Sequence, residues 1–253
     1  MKYSVCASAV LRHLPLAGAV ERIHALGFRA YEFWGWQGEN LDAIAEAQRR
    51  TGVELVGICT TKFVLNDPAL REDYLFGIRE SVEAARKLNC RRLITQVGQA
   101  IDGVPRQAQH DSIVEGLKAC APILEDAGME LVVEPLNTIY DHKGYYLDRS
   151  DEAFQIIREV GSPSVKVLFD VYHQQITEGN LIENLRNNVG LIGHIHIAGV
   201  PGRHEILSGS EVHYPAILAA LKDAGYQGAV GLEYFPLNDP EEGLKEVLRK
   251  MPL

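Results

Sequence analysis

The chain has 253 residues, 46% of them hydrophobic, and a formal net charge of −9. That length suits one large domain, and the composition is that of a globular chain without an apolar run long enough to span a membrane. The negative charge opposes nucleic-acid binding, which relies on cationic patches against phosphates. Four scattered cysteines, Cys6, Cys59, Cys90 and Cys120, have neither disulfide nor zinc-finger spacing, the usage of a reducing compartment. The N-terminus, MKYSVCASAV, lacks the basic, then apolar, then small-residue order of a secretory signal. The expectation is a cytoplasmic enzyme acting on a small molecule, with no nucleic-acid and no membrane partner.

In chain order, apolar strand candidates fall at 3–8 (YSVCAS), 30–34 (AYEFW), 54–60 (ELVGICT), 91–98 (RRLITQVG), 129–135 (MELVVEP), 165–171 (VKVLFDV), 191–198 (LIGHIHIA) and 229–235 (AVGLEYF). Each precedes a stretch of helical period, for example 16–26, 41–50, 67–88, 111–127, 150–160 and 241–251. The strings ALGFRA, RTGVEL, DAGMEL and DAGYQG each set a glycine after a helix and before a strand, where the left-handed conformation closes the helix. Asp67-Pro68 and Ser150-Asp151 read as helix starts. Eight strands and eight helices in strict alternation, with no linker, predict an α/β chain folded as a single-domain (β/α)8 TIM barrel over residues 1–253. A doubly wound open sheet would need a glycine-rich turn after its first strand, and SAVLRHLPL has no glycine.

A barrel gathers reactive groups where its strands end. The last four strands end with Glu134 in VVEPLN, Asp170 in FDVYH, His196 in GHIHIAG and Glu233 in GLEYF, each about one βα unit from the next. One such carboxylate alone is more often a helix cap, and one such histidine a satisfied core residue. Four at one register on successive strands are different, because three acids at one rim repel and raise one another's pKa. A divalent cation relieves that conflict, and a set of three oxygens and one nitrogen suits Mn²⁺, Mg²⁺, Co²⁺ or Zn²⁺. His194 sits two residues before His196 and shares its strand face, so one of the two is expected to point inward at a lower layer.

At these residues the sequence closely resembles the hydroxypyruvate isomerase family, within the larger group of xylose-isomerase-like sugar isomerases and epimerases. The resemblance runs over the whole chain through EPLN, FDVYH, GHIHIAGVPGRHE and GLEY, together with YEFWGW after the second strand. It implies one divalent metal ion, Mn²⁺ or Mg²⁺ before Co²⁺ or Zn²⁺, held by Glu134, Asp170, His196 and Glu233. It also implies that the two glutamates move protons, and that His173 and Arg203 contact substrate oxygens. After GRHE the family continues with a Pro-Gly-Thr-Gly-Glu type of turn. Here Ile206-Leu207-Ser208-Gly209-Ser210-Glu211 is longer and more apolar, which leaves substrate identity open.

The chemistry expected is removal of a C–H proton beside a carbonyl, through an enediolate. The substrate is a small unphosphorylated keto acid or keto sugar. Hydroxypyruvate converted to tartronate semialdehyde is the leading example, with a ketose 3-epimerase, or a lyase or hydratase of a 3-keto sugar, as alternatives. Phosphate is disfavoured because FPLNDPEEG offers proline and acids where a barrel phosphate site wants glycines. Arg203 and His204, in a Pro-Gly loop, suit a substrate carboxylate. Trp34 and Trp36 form a pocket wall, and Lys62 and His142 are secondary candidates. A DNA-repair nuclease of the endonuclease IV type would need more metal ligands and a cationic face. A homodimer or homotetramer is the expected assembly.

Overall fold

The computed structural model describes residues 1–207 and 209–253. Strands that are buried on both faces read as continuous apolar runs, and eight of them are present. They are β1 (Lys2–Cys6), β2 (Ala30–Phe33), β3 (Glu54–Cys59), β4 (Arg92–Thr95), β5 (Glu130–Val133), β6 (Val165–Asp170), β7 (Ile192–Ile197) and β8 (Ala229–Leu232). Each pairs in parallel with the next, and β8 closes on β1 with Lys2 opposite Ala229 and Val5 opposite Leu232. The sheet is the closed barrel that the alternation predicts.

The helical layer is richer than eight. Among the described residues there are ten α-helices: α1 (Ala7–Val10), α2 (Leu16–Ala25), α3 (Leu41–Thr51), α4 (Arg71–Lys87), α5 (Arg106–Ala127), α6 (Ser150–Val160), α7 (Val171–Thr177), α8 (Leu181–Asn188), α9 (Tyr214–Asp223) and α10 (Pro240–Lys250). The first addition is the single turn after β1. The second arises because β6 is followed by two helices. Asp170 caps α7 by accepting from the Tyr172 amide at 2.8 Å, so a helix starts at the strand's last residue. Gly179 and Asn180, both left-handed, then break the chain before α8.

The other boundaries differ for local reasons. Asp67 accepts from the Ala69 amide at 2.9 Å and opens a 3₁₀ turn, Pro68–Leu70, ahead of α4. Ser150 is the first residue of α6 rather than its cap, and its hydroxyl donates to Glu178. Gly52 and Gly128 close α3 and α5 at φ 70° and 64°, as expected for such positions. All four cysteines are free thiols. No helix among the described residues is long and apolar enough to cross a membrane.

One buried tyrosine joins the scaffold to the rim. The Tyr145 hydroxyl accepts from the Val97 amide at 3.0 Å and donates to the Glu134 carbonyl at 3.0 Å. Glu134 itself continues the β4–β5 ladder, its amide donating to the Thr95 carbonyl at 3.1 Å. Tyr145→Phe leaves both buried backbone groups unpaired, at a cost of about 1–3 kcal/mol. For a chain of this size that corresponds to a melting temperature lower by roughly 2–4 °C per kcal/mol. Thermal unfolding followed by circular dichroism measures it, and an unchanged midpoint would show that this hydroxyl does not hold the rim.

Candidate metal centre and active cavity

Glu134 follows the last residue of β5, Asp170 ends β6, His196 lies in β7 opposite Asp170, and Glu233 follows β8. The barrel thus brings together the four side chains that the sequence singled out. One ligand atom from each lies within 4.8 Å of all the others. His196 Nδ1 is 3.6 Å from Glu134 Oε1 and 3.3 Å from Glu233 Oε2. Exposure is 6% for Glu134, 0% for Asp170, 2% for His196 and 5% for Glu233, so water does not solvate the cluster freely.

Glu134 Oε1, Asp170 Oδ2 and His196 Nδ1 are buried and have no hydrogen-bond partner among the described residues. Orphaned polar atoms of this kind cost free energy unless something else satisfies them. Three carboxylate oxygens and one imidazole nitrogen, all converging on one point, fit a divalent cation in donor type and number.

The charges of the cluster act on one another. Burial pushes the Asp170 carboxyl up to about 7, against the pull of Arg203 and His196. Burial acts the same way on Glu233, but the charges of Arg203 and His196 outweigh it and hold Glu233 well below the usual carboxylate range. Burial lowers the His196 imidazole, yet the charges of Glu233 and Glu32 overcome this and raise it well above its ordinary value.

Glu32 is the residue that sequence reasoning passed over. It lies in β2, only 1% exposed, and reaches across the barrel interior beneath the four-residue cluster. His194 Nε2 is 2.6 Å from Glu32 Oε2 and His196 Nε2 is 3.4 Å from the same oxygen. His194 and His196 do face one side of β7, with their rings edge to face at 4.8 Å. The signal for Glu32 was the one that exposed Glu134, a lone carboxylate inside an apolar strand, here AYEFW.

A cavity of about 560 Å³ opens over the cluster. Glu134, His196 and Glu233 form its floor, and Trp34, His142 and Arg203 stand in its wall. Trp34 Nε1 donates to Glu233 Oε1 at 2.6 Å. Surface depressions of similar volume occur around Arg92, at the other end of the barrel, and beside Arg106, between α5 and α6. Neither includes a member of the acid–histidine clusters at the barrel centre.

Several expected substrate contacts stand elsewhere. Arg203 does reach the cavity, but its guanidinium is already paired. Nη2 binds Glu233 and lies 3.8 Å from Asp170 Oδ2, while Nε is buried without a partner among the described residues. His173 does not line the cavity. It is fully buried on α7, its Nδ1 accepts from the Asn137 amide at 3.2 Å and side chain at 2.7 Å, and Nε2 lies 3.5 Å from Asp170 Oδ2. A helix that starts at Asp170 turns its fourth residue back over the carboxylate, so His173 supports Asp170 from behind.

His204 is likewise off the cavity. Its Nδ1 donates to the Phe235 carbonyl at 2.9 Å and the ring covers Gly202, which makes it an anchor of the loop. Trp36 packs on the core, and Lys62 is at the surface, 3.2 Å from Asp73. In the apolar loop after Glu205, Ser208 lies outside the described residues.

The comparisons agree with this architecture. A putative hydroxypyruvate isomerase from Homo sapiens is 32% identical over 244 residues, covering 90% of this chain and 88% of that one. A 2-oxo-tetronate isomerase from Cupriavidus necator is 35% identical over 177 residues, 70% of this chain and 67% of that one. Among solved structures, an AP endonuclease, family 2, from Brucella melitensis superposes with a TM-score of 0.92 at 27% identity, covering 99% of each chain. A family model described as the xylose isomerase-like TIM barrel matches residues 20–252. The chain belongs to the xylose isomerase-like TIM barrel family.

Proposed function

We propose that this enzyme is a divalent-metal-dependent isomerase of a small, unphosphorylated keto acid, best exemplified by the conversion of hydroxypyruvate to tartronate semialdehyde. The observation that carries the reading is the convergence of three orphaned donor atoms, Glu134 Oε1, Asp170 Oδ2 and His196 Nδ1, on one point of the cavity floor. The similarity to proteins named hydroxypyruvate isomerase and 2-oxo-tetronate isomerase supports the keto acid. A nuclease would need a cationic face for phosphates, and the net charge of −9 speaks against one.

A divalent cation held by Glu134, Asp170, His196 and Glu233 supplies Lewis acidity toward the carbonyl and hydroxyl oxygens of the substrate; Mn²⁺ and Mg²⁺ are the first candidates, Co²⁺ and Zn²⁺ the next. The two glutamates are not equivalent. Glu233 accepts from Trp34 through Oε1 and from Arg203 through Oε2, and both bonds favour its ionised form. Glu134 accepts no side-chain hydrogen bond at Oε1 and borders the cavity. Glu134 is therefore the better base. It takes the proton from C3 of hydroxypyruvate, giving an enediolate, and delivers a proton to C2 while the hydroxyl proton passes from O3 to O2.

One base on one face completes such a shift. Inversion of a centre needs a second acid on the opposite face, and Glu233 is the candidate for that group in an epimerisation. Arg203, already bound to Glu233, holds that carboxylate charged and lines the cavity. The cavity volume of about 560 Å³ also favours a second reading, a four-carbon 2-oxo acid in the same chemistry.

Three measurements decide these points. Incubated in heavy water with Mn²⁺, hydroxypyruvate should lose its C3 proton signal as product forms; no exchange with hydroxypyruvate or a four-carbon 2-oxo acid would sink the keto acid reading. Asp170→Asn keeps the Oδ1 cap on Tyr172 but removes a charge. Its Mn²⁺ affinity should fall beyond the roughly 10–100-fold lost when an outer-shell partner is removed, and full occupancy would mean Asp170 is not a ligand. Glu134→Gln should lower kcat by about 10²–10⁴-fold, with proton exchange abolished and no rescue by excess Mn²⁺. Glu233→Gln should retain measurable exchange. The reverse pattern would make Glu233 the base.

A further inference from the structure

Beneath the metal centre, Glu32 Oε2 is hydrogen-bonded to His194 Nε2 at 2.6 Å, and His196 Nε2 stands 3.4 Å from the same oxygen without a hydrogen bond to it. We infer that Glu32 is a positioning residue that fixes His196 with Nε2–H turned down and the Nδ1 lone pair turned up toward the cation, with His194 bracing the carboxylate. This inference rests on the reading of Glu134, Asp170, His196 and Glu233 as metal ligands.

His196 has two nitrogens, both buried and both without a hydrogen-bond partner among the described residues, and each stands over carboxylate oxygens instead. Nδ1 faces Glu134 and Glu233, while Nε2 faces Glu32. A ligating imidazole binds well when its other nitrogen donates to a carboxylate, which sets the ring's orientation and makes the ligating nitrogen more basic. A carboxylate placed under three other acids adds to their repulsion, so a purely structural role would be served better by a neutral acceptor.

The surrounding residues are arranged around Glu32. Ser4 Oγ donates to its other oxygen, Oε1, at 3.3 Å. Gly231 in β8 leaves the room it needs: a Cβ there would collide with Glu32 Oε1 and stand 2.6 Å from His196 Cδ2. His194 Nε2 takes the short bond to Oε2, which turns that oxygen toward the centre of the barrel, where His196 meets it. The strand glycine, the serine and the second histidine thus converge on one carboxylate.

The test compares Mn²⁺ binding by calorimetry in the wild-type protein and in Glu32→Gln, which keeps the shape and one acceptor oxygen without the charge. Affinity should fall about 10–100-fold, the range seen for partners of ligating histidines. At saturating Mn²⁺ the variant should regain most of its kcat, unlike Glu134→Gln; a general folding defect would lower kcat at every Mn²⁺ concentration. A second measurement needs no variant. In the Zn²⁺-loaded wild-type protein, the His196 Nε2–H signal in ¹H–¹⁵N spectra should lie downfield, as for a proton shared with a carboxylate. Unchanged Mn²⁺ affinity in Glu32→Gln, or a His196 signal at the position of a free imidazole, overturns the inference while leaving the metal centre standing. A wild-type protein that binds no divalent ion overturns both.

Discussion

Four carboxylates, Glu32, Glu134, Asp170 and Glu233, are packed with almost no exposure into the upper half of one barrel, and their mutual repulsion is the constraint around which the rest is arranged. At the few-ångström separations found here, like charges in a low-dielectric interior would cost several kcal/mol. The protein answers with cations and dipoles at fixed places. Arg203 pairs with Glu233 from the loop after β7, His194 and His196 lie over Glu32, Trp34 donates to Glu233, and the Tyr172 amide at the start of α7 binds Asp170. Among the atoms these groups leave unsatisfied, Glu134 Oε1, Asp170 Oδ2 and His196 Nδ1 converge on one point. A cation at that point would satisfy them together, so folding and function make the same demand on the site.

Arg203 shows how strongly that demand shapes the backbone. It adopts a left-handed φ of 59°, a conformation costly for any residue with a Cβ. Its guanidinium lies 5.4 Å from the Tyr172 ring centroid and 5.8 Å from that of Phe235, so it is sheathed in aromatic surface. Removal from water favours the neutral form of an arginine, yet Glu233, Asp170 and Glu134 together hold it firmly charged. A cation fixed so close to the acids limits how much positive charge an incoming metal must supply.

The barrel and the four-residue cluster were legible because both obey a strand-length rule. Glu134, Asp170, His196 and Glu233 each sit at a strand end, and closing eight strands leaves no freedom about where strand ends go. Residues beyond the strands were not legible in the same way. His173 and His204 lie close in sequence to the cluster, but α7 folds one behind Asp170 and a bond to the Phe235 carbonyl turns the other aside. Sequence distance says nothing of side-chain direction once the chain has entered a loop or a helix. Glu32 failed to register for another reason. It belongs to the first half of the barrel and meets His194 and His196 only across the interior, a contact no neighbouring-strand register describes.

That first half has a separate task. The cluster comes from β5 to β8, whereas the facing wall carries Trp34 after β2, Cys59 at the end of β3, Thr60 and Thr61 beyond it, and Gln96 after β4. These are neutral groups that donate, accept or pack, and among them only Trp34 touches the acid cluster. The two glutamates of the cluster are held at strand ends whose geometry is fixed by barrel closure, while the facing side of the cavity is built mostly from loop residues. Lengthening or shortening that wall changes which keto compound fits without moving a ligand atom. On the proposed chemistry, the division would let proteins named for different substrates share one barrel: the acids would set which bond is broken, and the opposite wall which molecule carries it.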